Sequence, residues 1–283
     1  MDRYAELLAA NTSAYGGYAL STALEHIAAL GYRRVEIAAM YGLVEHITQE
    51  QLTTKHAAEV KSMMNQNGLK STAFSAHLYL NRSDAVDLFL PRMDFAKVIG
   101  ASIINTKAGA PSGLDQFLHN MEKLIRHAED IDLRIGLETH GDIVDYGSAA
   151  VEAVRRFPTD LVLLNYDFGN VLINSRGTVD PAADFNKIQE AVGHLHLKDA
   201  AKVDGMWQWT AIGQGSIDYS PVWAGIKQLS APLPLTVDLP LSLAQKDGAP
   251  AQPRTDLLHL AEIDRIMGDS RHFIMKGLGF LRC

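Results

Sequence analysis

Eight times along the chain, a short apolar run rich in β-branched residues is followed by a longer stretch with helical periodicity. The strand-like runs are Leu7–Thr12, Arg34–Ala39, Ser71–Ala76, Ser102–Thr106, Arg134–Thr139, Leu161–Tyr166, Gly193–Leu197 and Leu235–Leu239. The helical stretches are Ser21–Leu30, Gln51–Asn67, Ser83–Ile99, Leu114–Asp130, Ala149–Phe157, Ala182–Glu190, Pro221–Leu229 and Thr255–Met267. Gly31 and Gly68 read as helix C-caps, and Ser220 before Pro221 as an N-cap with proline at the first helical position. Such strict alternation implies parallel strands joined by helical crossovers. Eight units in 283 residues suit a single closed (β/α)8 barrel, whose usual length is about 250 residues. A doubly wound open sheet is the runner-up. That fold usually places a glycine-rich turn after its first strand, where this chain reads Asn11-Thr12-Ser13-Ala14-Tyr15-Gly16-Gly17. No linker or internal repeat divides residues 1–283, so one domain is expected. Its tail, 270–283 with Phe280 and Leu281, could dock on a partner subunit in a homo-oligomer.

Strand parity carries the argument from fold to site. Side chains two apart share a face. Val35 and Ile37 therefore oppose Glu36, and Phe74 and Ala76 oppose Ser75 and His77. Ile135 and Leu137 oppose Gly136, Glu138 and His140; Leu195 and Leu197 oppose His194, His196 and Lys198. In the last strand Leu235, Val237 and Leu239 oppose Thr236 and Asp238. An apolar face under the helical ring and a polar face inside the barrel account for all five strands. The polar residues gather at the strands' C-terminal ends, where barrel enzymes build their active sites. Burying so many ionisable groups together is costly unless they pair or bind a metal.

Composition removes several classes of function. There is no apolar stretch long enough for a membrane span, and MDRYAELLAANTSAYGG carries no secretory signal pattern. The single cysteine, Cys283, excludes an intramolecular disulfide and a thiolate metal cluster and suggests a reducing cytoplasm. With 26 basic against 33 acidic residues, net charge −7, and basic runs no longer than pairs such as Arg33–Arg34, nucleic acid is a poor candidate partner.

The ends of the fifth to eighth strands read Gly136-Leu137-Glu138-Thr139-His140-Gly141-Asp142, Asn165-Tyr166-Asp167-Phe168-Gly169-Asn170, His194-Leu195-His196-Leu197-Lys198-Asp199 and Pro234-Leu235-Thr236-Val237-Asp238. In a barrel closed in order, Glu138, Asp167, one histidine and Asp238 converge. Three carboxylates and an imidazole suit one divalent ion of the Mn, Mg, Co or Zn kind. Asp167 has a second reading, as the cap of the helix that follows it. Glu36, His77, His140, His194 and Lys198 are the candidate substrate contacts, with internal ion pairs or core hydrogen bonds as the alternative for Glu36, His77 and His194. His140 either orients Glu138 or meets substrate, and Lys198 could hold an anionic oxygen. Asn105 and Lys107 end the fourth strand on weaker versions of the same argument. Trp207 and Trp209, in the 200–218 loop, either stack on a sugar or anchor the loop. Gly213-Gln214-Gly215 is a turn rather than a dinucleotide fingerprint, since it follows no strand and lacks the third glycine.

The run E-T-H-G-D, D-F-G-N, H-L-H-L-K-D and G-Q-G-S-I-D resembles the xylose isomerase-like TIM barrels, and within them the sugar phosphate isomerase/epimerase group, over roughly Gly31 to Met267. The resemblance implies a metal held by Glu138, Asp167, His196 and Asp238, with Glu138 and Asp238 as acid/base groups. This chain departs from the pattern at four places. Asp238 stands where the family carries Glu, Val144 where the ketose 3-epimerases carry a second Glu, and Asn170 where many relatives carry His; no Arg occurs in 197–212. The implied activity is a metal-dependent isomerase or epimerase acting on a small sugar or keto-sugar through an enediolate. A dehydratase on a keto-polyol is the alternative, and a non-catalytic sugar-binding barrel is a third reading.

Overall fold

A computed structural model of the chain describes residues 3–280, so the tail residues Leu281 and Cys283 fall outside the described part. The strands are β1 (Leu8–Asn11), β2 (Arg34–Ala38), β3 (Lys70–Tyr79), β4 (Ile103–Lys107), β5 (Arg134–Glu138), β6 (Val162–Asp167), β7 (Val192–Leu197), β8 (Asp199–Val203), β9 (Met206–Thr210), β10 (Leu235–Val237), β11 (Leu243–Lys246) and β12 (Gln252–Pro253). β1 to β7 and β10 close into a parallel barrel in the order β1-β10-β7-β6-β5-β4-β3-β2. Register sets neighbours: Asp167 pairs with His196, Thr236 with His196, Glu138 with Asn165, and Asn11 with Glu36.

The alternation places the layers as expected. Outward-facing Val35, Ile37, Phe74, Ile135, Leu137, Leu195 and Val237 join one continuous core with the helices. Inside the barrel the lower ends are apolar, where Ala73, Ile103 and Leu163 form a separate small plug. Polar residues begin one layer higher. Gly136 faces inward too, and its lack of a side chain is what admits Asn105: a Cβ there would stand 2.1 Å from Asn105 Oδ1.

Four features differ from the sequence expectation. Residues 199–210 and 243–253 are not loop but an antiparallel sheet, β12-β11-β9-β8. Its hairpin turns on Asp204 (φ 49°) and Gly205 (φ 77°), the pair of positive φ values that a two-residue turn of this hand demands. A short helix, Phe168–Asn174, starts directly at the end of β6, capped by Asp167 Oδ1, which accepts from Asn170 N at 2.8 Å. Ser220 is the first residue of its helix rather than the cap, and the Asp218 carboxylate accepts from Ser220 N instead. The last helix runs Leu260–Leu278, later and longer than expected. Its buried stripe of Ile263, Ile266, Met267, Ser270, Ile274 and Met275 continues past Gly268, and packing outweighs the small penalty of a mid-helix glycine. That helix lies on its own barrel, with Phe273 against Tyr219 and Trp223, and Phe280 packs on the same core. Gly31 and Gly68 do end their helices, with φ of 84° and 67°. Among the described residues no helix is long and apolar enough to cross a membrane.

Candidate active site

His196 is the centre of the polar interior. It sits at the end of β7 with no exposed surface, and each ring nitrogen meets a carboxylate. Nε2 lies 3.2 Å from both oxygens of Glu36, and Nδ1 lies 2.9 Å from Glu138 Oε2. Burial alone would push the imidazole down, but Glu36 and Glu138 outweigh it and hold its pKa well above the ordinary value. Glu36 is likewise held at about 2: burial raises it, and the stronger sum of His196, His194 and the Asn105 amide lowers it. Asn105 Nδ2 donates to Glu36 Oε1 at 2.8 Å. The Glu36 carboxylate is fully buried and paired with His196, the internal ion pair that was the alternative to a substrate contact.

The same alternative holds for His194. It lies a layer deeper, fully buried, with Nδ1 donating to Asn165 Oδ1 at 2.8 Å and Nε2 3.3 Å from Thr236 Oγ1. Burial keeps it neutral, with a pKa lowered to about 4 despite the pull of Glu36. It is a core histidine rather than a substrate contact.

Around His196 Nδ1 the other expected groups converge. Asp167 Oδ2 is 3.6 Å away and Asp238 Oδ2 3.7 Å. One donor atom each from Glu138, Asp167 and His196 falls within a single 4.8 Å set. Donors spaced in this way can all reach one first-row divalent ion at about 2.0–2.2 Å, so the residues present fit a metal. The Nε2–Glu36 contact fits too, since an imidazole that binds metal through one nitrogen usually donates its other N–H to a carboxylate. Asp167 serves both readings made of it, with Oδ1 capping the helix at 168 and Oδ2 facing the cluster. Asp238 Oδ1 accepts from Ser13 Oγ at 2.8 Å, a partner that nothing in the sequence pattern announced.

Lys198 complicates this centre. Its Nζ lies 2.9 Å from Asp167 Oδ2 and 2.6 Å from Asp238 Oδ2, the same two oxygens that face His196. Burial would lower its pKa, but the two aspartates raise it further, so it remains an ammonium. The cluster thus already contains one fixed positive charge.

Above the centre is a chamber of about 40 Å³ lined by His77, Glu138, His140, Asn170, Lys198 and Trp209, roofed by Met40, Leu43, Pro240, Leu243, Gln245 and Ala251. That is room for roughly one water molecule. Glu138 is the one carboxylate of this lining. His77 Nε2 lies 3.1 Å from Glu138 Oε2, and Asn170 Nδ2 donates to Glu138 Oε1 at 2.7 Å. Burial opposes the charge on Glu138, yet His77 and His196 hold its pKa well below the carboxylate range. Asn170 Nδ2 also lies 3.1 Å from His140 Nδ1, a contact that favours the tautomer with its proton on Nε2. Burial, reinforced by Lys107, keeps His140 neutral. Asp238 does not line the chamber, so its expected acid/base role is not matched by access to substrate. Trp209 is buried in the roof sheet with Lys198 Nζ 5.0 Å from its ring, and Trp207 Nε1 donates to Asp247 at 2.6 Å.

An outer basin of about 550 Å³ adjoins the chamber, and His140 and Gln245 belong to both. A further cavity of about 660 Å³, beside Leu118, Arg126 and Phe157, lies at the opposite end of the barrel and touches none of these groups. Asn105, one of the two strand-four candidates, holds Glu36, while Asn165 and Ser13, which hold His194 and Asp238, were missed as site residues. The parity argument could have found Asn165, since it faces inward from β6 two residues before Asp167.

Comparison with known proteins shows where the chain belongs. Over 244 residues the chain is 22% identical to an inosose dehydratase of Lacticaseibacillus casei, covering 73% of this chain and 77% of that one. It superposes on a D-allulose 3-epimerase from Methylomonas sp. with TM-score 0.67 at 15% identity, covering 96% and 97% of the two chains. A xylose isomerase-like TIM barrel protein of Mycobacterium smegmatis, solved in complex with magnesium, gives TM-score 0.69 at 15% identity over 96% of each chain. Residues 24–263 match the sequence model of the xylose isomerase-like TIM barrel family, and the chain belongs to that family.

Proposed function

We propose that this chain is a divalent-metal-dependent enzyme that removes the proton next to the carbonyl of a small keto-sugar or keto-polyol and so isomerises it. One observation carries the reading: Glu138 is at once the only carboxylate of the chamber and a member of the Glu138–Asp167–His196 donor set. A metal bound there supplies Lewis-acid polarisation of a carbonyl and the hydroxyl beside it. The magnesium of the M. smegmatis relative supports that choice of group. Glu138 takes the proton. Lys198 Nζ and the Nε2–H of His140, both at the chamber wall, meet the negative charge that develops on the substrate oxygen. Trp209 and the roof exclude water. Val144 is buried at the position where the 3-epimerases carry a second Glu, and Asp238 lies behind Lys198. A proton returned by Glu138 goes back to the face it left, which favours transfer between adjacent carbons over inversion.

A second reading is dehydration of a keto-polyol. The same single base with an ammonium donor beside it can expel a β-hydroxyl, and the inosose dehydratase relative supports that direction. Incubation of metal-loaded protein with ketoses and inososes in deuterated water separates the two. Isomerisation incorporates deuterium into a product of unchanged composition, whereas dehydration yields a species lighter by one water. Glu138→Gln abolishes either. Absence of both deuterium incorporation and any new product, across every ketose and inosose of the panel, sinks both readings.

A further inference from the structure

Two lysines are buried at the barrel mouth, and only one is paired. Lys198 is held by Asp167 and Asp238. Lys107, the last residue of β4, is 8% exposed, and its Nζ has neither an ion-pair nor a hydrogen-bond partner among the described residues; its nearest defined contact is the Tyr79 ring, 5.6 Å to the centroid. Its ammonium therefore reaches only the space of a small cavity, where an anion is a better partner than water for a charge on a largely buried side chain. Burial lowers its pKa, with Glu138, Asp142 and Asp167 pulling it up and Lys198 pulling it down.

A cavity of about 190 Å³ surrounds it, lined by Tyr41, His77, Leu78, Tyr79, Arg82 and Lys107. Tyr41 and Tyr79 are the walls, each with nearly half its surface exposed, which is unusual for large rings with no role in packing. Arg82 stands 5.8 Å over the Tyr41 ring, pinned there by Asp84 through contacts of 2.8 and 2.7 Å. No carboxylate lines the cavity. His77 forms the partition, since it lines both this cavity and the reaction chamber, with Nε2 3.1 Å from Glu138 Oε2.

We propose that this cavity is an anion subsite that takes a carboxylate or phosphate group through Lys107, in the space bounded by Tyr41, Tyr79 and Arg82. Resting on the reading of Glu138 as base, the group belongs to the substrate and lies one imidazole ring away from the reacting carbon, so the natural substrate is an acidic sugar derivative. A neutral sugar leaves Lys107 with water alone. An anion satisfies it without touching the metal ligands.

The test separates the subsite from the chemistry because it needs no turnover. Inorganic phosphate and glycolate are titrated calorimetrically into the full-length chain, as purified and again with chelator, against chloride at matched ionic strength. The subsite predicts saturable binding of at least one anion, unchanged by chelator, weakened tenfold or more in Lys107→Met and retained within threefold in Lys107→Arg. Phosphate alone marks a phosphorylated substrate, glycolate alone a sugar acid, and both an unselective anion site. As a check that does not depend on a variant folding, acetylation of Lys107 in the wild-type chain, read by peptide mass spectrometry, is slowed by the anion that binds. Absence of saturable binding, binding that vanishes with chelator, or unprotected Lys107 overturns the proposal. An anion site confirmed in a protein that exchanges no substrate deuterium would leave the subsite standing and remove the isomerase reading alone.

Discussion

Replacing Glu36 by Gln is the most informative single change, because it separates a group that orients the metal's histidine from one that touches substrate. Both Glu36 oxygens lie 3.2 Å from His196 Nε2, on the far side of the ring from the nitrogen that faces Glu138 and Asp167. Gln keeps the shape and one acceptor but loses the charge, and Asn105 Nδ2 competes for that acceptor at 2.8 Å. A unit negative charge roughly 7 Å from a divalent ion is worth about 5 kcal/mol at an effective dielectric of about 20, which is an upper bound. Loss of such carboxylate partners typically costs about 10- to 100-fold in metal affinity, equivalent to about 1.4–2.8 kcal/mol. The assay is calorimetric titration of Mn²⁺ into chelator-treated wild type and Glu36→Gln, followed by KM at saturating metal. The account predicts the weakened metal site with KM little changed. A metal Kd within twofold of wild type, with KM raised, would refute the orienting role and return Glu36 to the substrate.

Three further changes follow from the same packing. Lys198→Met leaves Asp167 and Asp238 buried without their cation, so the metal-free protein loses about 3–5 kcal/mol, while Mn²⁺ binds more tightly and restores the loss; an unchanged thermal midpoint without metal contradicts this. Gly136→Ala drives a Cβ to 2.1 Å from Asn105 Oδ1 and displaces the amide that holds Glu36, a cost of about 2–3 kcal/mol for a hydrogen bond to a buried charge, read as a midpoint lower by roughly 4–10 °C. Glu36 is held at about 2 against an ordinary 4.5. Its contribution, about 3 kcal/mol, is therefore complete above pH 4.5 and lost as pH falls toward 2, so the stability gap between wild type and Glu36→Gln in urea narrows between pH 5 and 3. A gap independent of pH would show that Glu36 is not held ionised by His196.

Parity made the barrel and its inward face legible, because period-two alternation survives whatever the strands are packed against. It could not give height within the barrel. Glu36 and Glu138 both face inward, yet Glu36 stands mid-strand beneath His196 and Glu138 ends its strand at the chamber wall. β3 slips against β2 between Val35 and Glu36, a shift no strand reports in its own sequence. The depth of His194, bonded to Asn165 and Thr236, was hidden for the same reason. The roof sheet was missed because β8, Asp-Ala-Ala-Lys-Val, has no apolar alternation. Its Asp204-Gly205 pair was the available signal. Asp238 was read correctly as an inward carboxylate, but its pairing with Lys198 depends on side-chain reach across β7 and β10.

The central claim is that Glu138, Asp167 and His196, with Asp238 beside them, hold one divalent ion. Elemental mass spectrometry on protein purified without chelator and dialysed against Mn²⁺ tests it most directly, with His196→Ala in parallel and circular dichroism confirming its fold. The account predicts close to one metal per chain in the wild type and almost none in the variant. No stoichiometric metal in the wild type, or equal metal in both, would contradict it.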